Sequence, residues 1–196
     1  MTWIIVGLGN PGEEYIDTRH NTGRMAVEFF AKQQAFDEWK EDKKIKARVD
    51  RGSVGKSPTI LVNPDTFMNK SGVAVAKFVK SQKAAEKMIV VYDDLDLPLG
   101  KIKLSFDRGS GGHKGVESIT RAVKTKKFVR VRVGVSPSTA AGKVRKPEGE
   151  KGVLDFILAR FKPAEMQELK KVFKTVSEAL ETTITEGREV AMNRFN

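Results

Sequence analysis

The chain has 196 residues, 39% of them hydrophobic and 31% charged, the balance of a single globular domain with room for a true core. No apolar run reaches the length of a membrane span and no basic-then-apolar leader opens the chain, so neither a membrane protein nor a secreted one is expected. Cysteine is absent, which excludes disulfides and thiolate metal sites and suits a reducing compartment such as the cytoplasm, while 36 Lys and Arg against 25 Asp and Glu leave a net charge of +11 that calls for an anionic partner.

In chain order, Ile4 to Val6 read as a short buried strand ended by Gly7 and Gly9. A polar loop carrying Asn10, Tyr15, His20 and Asn21 follows, then a helix over 24–35 with Met25, Val27, Phe29 and Phe30 on one face. Residues 45–51 alternate as a half-exposed strand, and 59–62 (TILV) make a buried one. A turn over 63–72 leads into a helix expected from Ser71 to Ser81, with Val75, Phe78 and Val79 turned inward. Residues 88–94 (MIVVYDD) form a buried strand ending on carboxylates, and 101–106 a strand with Ile102 and Leu104 inward. After a glycine-rich loop, RGSGGHKG at 108–115, a short helix covers 115–124 and a strand 129–135, with Arg130 and Arg132 on its polar face. Residues 136–151 read as a long, mobile loop, and a long amphipathic helix starts near Pro163 on Met166, Leu169, Val172, Phe173, Val176, Leu180 and Ile184. Strands and helices alternate, so the expected fold is a single α/β domain over 1–196, a twisted mixed sheet flanked by helices.

Several constellations carry chemistry. Residues 7–12 match G-x-G-x-x-G, but a dinucleotide site needs a helix to start at its last glycines, and here the next helix begins about ten residues late. DDLDLP at 93–98 offers two readings: a Mg²⁺ site, or Asp93 orienting a histidine while Asp94 and Asp96 serve the turn. Only two histidines exist, His20 and His113, too far apart in sequence to suggest a zinc site. Either is a candidate general base. His20 is preferred because it lies in a loop after a buried strand, whereas His113, among Gly111, Gly112 and Gly115, also suits structural packing. No serine or cysteine stands in a nucleophile-elbow setting, so the base would activate water. The cluster Thr66 to Asn69 suits either core packing or a cleft for peptide or base. From Ser118 to Pro147 there are nine Lys or Arg and no acid, a pattern that suits a phosphate backbone or simply a solvated basic face.

Together these residues resemble bacterial-type peptidyl-tRNA hydrolases, on GLGNPG-x₂-Y-x₄-HN-x-G at 7–23, TFMN-x-SG at 66–72, DDLDLP-x-G at 93–100 and GGH-x-G at 111–115. The resemblance implies a monomeric, cytoplasmic, metal- and cofactor-free enzyme that hydrolyses the ester joining a peptide to the 3′-terminal ribose of tRNA. It implies His20 as general base, Asp93 as the carboxylate holding its imidazole, and Asn10 as the sensor of a blocked amino group. Asn69 would bind substrate near the ester, with Tyr15, Phe67 and Met68 lining the cleft, and Arg132 and Lys103 gripping the acceptor arm. The family's usual loop reads Gly-His-Asn-Gly, where this chain has Lys114; a common basic residue is Ser105 here, with Arg108 nearby. The expectation for Lys114 is a phosphate contact outside the chemistry. The rival reading is a non-catalytic RNA-binding protein on the same fold.

Overall fold

The computed structural model describes residues 1–36 and 38–196. Its centre is strand β1 (Trp3–Gly7), buried along its whole length. Helix α1 (Thr22–Gln33) follows, then β2 (Lys40–Asp42), β3 (Ala47–Val54) and β4 (Ser57–Pro64). Two short helices, α2 (Ser71–Val75) and α3 (Gln82–Ala85), lead to β5 (Met88–Pro98) and β6 (Ile102–Phe106). Helix α4 (Lys114–Val123), strand β7 (Val129–Ser136) and helices α5 (Gly149–Leu158), α6 (Pro163–Thr185) and α7 (Arg188–Phe195) complete the chain.

The seven strands form one sheet in the order β2-β3-β4-β1-β5-β7-β6. The central pairings β4–β1, β1–β5 and β5–β7 are parallel, and the outer ones antiparallel, so the sheet is mixed as expected. Parallel central strands are buried on both faces, which is why β1 and β5 read as continuous apolar runs and not as alternation. One face packs Ile5, Ile89, Val91, Val131 and Val133 against α1 and α6; the other packs Val6, Val90 and Tyr92 against α2 and α4. The α6 stripe is the predicted one: Leu169, Val172, Phe173, Val176, Leu180 and Ile184 are all buried. Each such side chain contributes about 1.5–3 kcal/mol on full burial.

Departures from the expected elements have local causes. The helix expected over Ser71 to Ser81 stops at Val75, where Lys77 and Phe78 donate to Ala74 and Val75 in tightened i→i+3 bonds. Ser81 begins a new helix instead, accepting from the Ala84 N–H at 3.1 Å, the role serine prefers. The C-terminal helix is broken at Gly187, whose φ of 104° only glycine adopts readily, and α7 turns back onto the sheet. There the Asn196 carboxamide accepts from the Leu104 N–H at 2.7 Å and donates to its carbonyl at 3.1 Å, on edge strand β6. Helix α5 begins in the end of the segment expected as loop and runs beyond it; none of its residues is fully buried, though Phe156 packs against the core. The charged β2 was not expected at all. Arg130 corrects the expected polar face of β7: it is 1% exposed, stacks on Phe128, and donates to the carbonyls of Arg108 and Gly109.

Candidate active site

The site forms where the parallel strands β1 and β5 end, between the two helical layers, the end of the sheet at which open α/β proteins place ligands. The chain leaves β1 through two 3₁₀ turns, Glu13–Tyr15 and Arg19–Asn21, before α1 begins at Thr22. The late helix start removes the dinucleotide reading, because only a three-residue 3₁₀ turn follows Gly12 and α1 does not begin until Thr22. Gly23 lets α1 press against the strand ends: a Cβ there would lie 2.1 Å from the Val91 carbonyl oxygen. That close approach brings His20 to the last buried turn of β5.

Asp93 sits there, 4% exposed, and accepts from both histidines. His20 Nδ1 lies 3.0 Å from each carboxylate oxygen, and His113 Nε2 lies 3.0 Å from Oδ1. The ring centroids are 5.0 Å apart. His20 arrives from the layer of α1 and His113 from the layer of α4, so residues remote in sequence meet on one carboxylate. The separation in sequence that argued against a histidine metal site is closed by the fold: His20, Asp93 and His113 present ligand atoms within 4.8 Å, a donor set that could also hold a metal ion. Their 3.0 Å spacing is that of hydrogen bonds, which already use the facing atoms.

The network assigns the two tautomers. His113 caps α4, its Nδ1 accepting from the Val116 N–H at 3.4 Å, so Nε2 carries the proton given to Asp93. His20 gives Asp93 its Nδ1 proton, and its Nε2 has no protein partner among the described residues. Only His20 keeps an unused imidazole lone pair. Burial works to lower the His20 pKa, but the charge and hydrogen bond of Asp93 outweigh it, so the imidazole is raised above its ordinary value. Burial likewise opposes the Asp93 anion, yet the two histidines hold its carboxyl well below the usual carboxylate range.

The other carboxylates of 93–98 do not converge on a cation. Asp94 takes Arg132 Nε at 2.5 Å and the Asp96 N–H at 2.7 Å, while Asp96 pairs with Lys146. The Mg²⁺ reading loses its ligands to these partners.

Asn10, 7% exposed, is fixed on three sides. The Asn21 carboxamide clasps its backbone, accepting from N–H at 2.8 Å and donating to the carbonyl at 2.9 Å, and Arg24 adds a second donor at 3.2 Å. The Asn10 side-chain oxygen accepts from the Met68 N–H at 2.8 Å, leaving its NH₂ without a protein acceptor among the described residues. Met68 is buried beside Gly115, where a Cβ would lie 2.5 Å from its sulfur and 3.2 Å from His113 Cε1. Asn10, Met68, Gly115 and His113 thus form one wall.

Phe67, 58% exposed, and Asn69 flank Met68 at the surface, and Tyr15 is half-buried in the first 3₁₀ turn. Gly111 and Gly112 are exposed at positive φ, 63° and 83°, in the loop that delivers His113. Lys103 and Arg132 are direct cross-strand neighbours on β6 and β7. Lys114 is exposed on the first turn of α4, its nearest acid being Glu117 at 3.9 Å. Asn21 stands in the loop motif and Arg24 on the first turn of α1, but nothing in the sequence assigned either the task of clasping Asn10; the contact is made by the fold.

A family model described as Peptidyl-tRNA hydrolase matches residues 4–196. The chain is 39% identical to a peptidyl-tRNA hydrolase of Chloroflexus aggregans over 99% of its length and 98% of that protein, and 38% identical to one of Aquifex aeolicus over 98% and 95%. The crystal structure of peptidyl-tRNA hydrolase from Acinetobacter baumannii superposes with a TM-score of 0.87 at 30% identity, over 100% of this chain and 94% of that one. No described helix is long and apolar enough to cross a membrane. With its fold and its sequence agreeing, the chain belongs to the peptidyl-tRNA hydrolase family.

Proposed function

We propose that His20 is the general base that activates water against the ester of peptidyl-tRNA, with Asp93 holding its imidazole. The observation that carries this reading is the pair of tautomers: both histidines share Asp93, and His20 alone keeps a free ring nitrogen. Water attacks the ester carbonyl carbon as its proton passes to His20 Nε2, giving a tetrahedral oxyanion. Asn69 binds the substrate beside the ester. The bond to the ribose 3′ oxygen then breaks, the imidazolium returns its proton to that oxygen, and free tRNA and a peptide carboxylic acid leave. The protein acts as a cytoplasmic monomer on this view, with Tyr15, Phe67 and Met68 lining the cleft for the 3′ end.

Asn10 selects blocked substrates through the atom it has left. Its oxygen is turned to the Met68 N–H, so the free NH₂ donors face the substrate, where they match a peptide carbonyl and oppose a free ammonium. N-acetylated aminoacyl-tRNA should release tRNA while the unblocked form is spared. Asn10→Asp replaces the donor with an acceptor and should lower kcat/KM on the blocked substrate roughly ten- to a hundredfold. Unchanged discrimination in Asn10→Asp would remove Asn10 from this role.

Acceptor-arm phosphates are gripped by the flank carrying Lys103 and Arg132, cross-strand neighbours on β6 and β7, and by Lys114 on α4. Arg132→Ala should weaken binding of full-length tRNA across species and reduce the log–log salt slope by about one. Hydrolysis of a blocked amino acid on a short 3′ fragment should barely change. Lys114→Asn should show the same division, since the ammonium is exposed and paired only loosely with Glu117. Loss of turnover on the short fragment, with tRNA binding intact, would place either residue in the chemistry instead.

A further inference from the structure

The residue before His20 is a buried arginine with an unusual number of attachments. The Arg19 side chain is 6% exposed. One terminal nitrogen donates to the carbonyls of Ala159 at 3.2 Å and Arg160 at 3.1 Å; the other reaches both oxygens of Glu165 at 2.9 Å. The guanidinium lies 4.4 Å from the centre of the Phe156 ring and 5.0 Å from that of Phe161. Around it the backbones are zipped together: Arg19 N–H donates to Ala159, Phe161 N–H to Asp17, and Thr18 bridges Arg160. Glu165 also accepts from the Lys162 N–H at 2.7 Å, closing the first turn of α6.

This clamp is costly as a device for stability alone. Its Nε is buried without a partner, and a desolvated ion pair can often be replaced by apolar residues at no loss of stability. What the clamp does hold is the 3₁₀ turn Arg19–Asn21, against the junction of α5 and α6. We propose that Arg19 is a positioning residue that fixes the His20 imidazole on Asp93, anchoring the catalytic turn to the end of α5 and the start of α6. The proposal rests on His20 being the base. Only a planar, multiply donating group satisfies two carbonyls, a carboxylate and two ring faces at once, so lysine is a poor substitute.

The test pairs Arg19→Met with Glu165→Gln, which removes the buried charges yet keeps an acceptor for the Lys162 N–H; Arg19→Lys serves as the milder variant. Turnover of a short blocked substrate is measured well below the melting temperature, on protein shown to be folded by circular dichroism. The expected result is a kcat lower on the order of 10²-fold with KM within about twofold, partly recovered in Arg19→Lys. In a His20→Ala background, adding Arg19→Met should cost less than about twofold more, because no base is left to position. A folded Arg19 variant with normal kcat, beside an inactive His20→Ala, would overturn this proposal and leave the base assignment standing. An equal further loss in the His20→Ala background would also overturn it, since Arg19 would then act by another route. Near-normal turnover in His20→Ala itself would overturn the base assignment.

Discussion

His20→Ala should lower kcat by roughly 10²–10⁴-fold while leaving affinity for blocked tRNA close to that of the unaltered enzyme. A water-activating base contributes where charge moves, in the transition state, and little to the ground-state complex. His113→Ala is the informative comparison. His113 also donates to Asp93, but its other nitrogen is committed to the N-terminus of α4, so it supports the carboxylate without being able to take the proton. Its loss should lower kcat by about tenfold, the scale of one hydrogen bond to a charged group. Turnover surviving in His20→Ala and vanishing in His113→Ala would exchange the two roles.

Asp93→Asn should be nearly as damaging, with a second signature in the pH profile. The amide carries no charge to stabilise the imidazolium, and its NH₂ replaces one of the two oxygens that face His20 Nδ1. A loss of kcat on the order of 10²–10⁴-fold is expected. If His20 is the base, as proposed, the reaction needs it neutral, so kcat/KM of the unaltered enzyme should fall as pH drops through an acid limb above the ordinary imidazole value, because Asp93 raises that pKa. Without the anion only burial remains, and burial lowers it; the acid limb should move to lower pH. An acid limb that stays in place would mean that His20 does not report the essential base. Stability runs the opposite way to activity across the same window. Folded His20 holds a proton that the unfolded chain has already released, so its contribution is full below the unfolded pKa and is lost as pH rises through the folded one. The Asp93 contribution, with its folded pKa depressed, persists far into acid.

Much of this site was legible in the chain because its parts lie at strand ends and in glycine-rich loops, where residue type is dictated by position. Asp93 at the end of an apolar run, and His20 in the loop after β1, could be picked out without coordinates, and the family motifs carried Asn10 and Asn69 with them. What stayed hidden depends on contacts between distant segments. That Asp93 serves two histidines requires the layers of α1 and α4 to meet at one strand end, and no local pattern records that. Arg130 looked like a solvated cation because alternation on β7 reports which face a residue takes, not what covers the face; Tyr92, Phe128 and the 108–109 loop cover it. Helix α5 and the break at Gly187 escaped for opposite reasons. The first buries no residue to impose a period, and the second interrupts a period that α6 had sustained for 23 residues.

The two margins of the sheet are protected against other chains by different means. At β2 the strand is three residues long and reads Lys-Glu-Asp, a short charged border that offers an incoming strand little to pair with. At β6 the strand is longer and partly apolar, and its defence is one carboxamide: Asn196 imitates a peptide group, filling the donor and the acceptor of Leu104 together. That protection is only as durable as the docking of α7. Any condition that lifts this helix uncovers the Leu104 N–H and carbonyl before the central strands part, and turns a closed border into a template for self-association. Aggregation on mild heating should therefore begin at β6, with the central strands still paired.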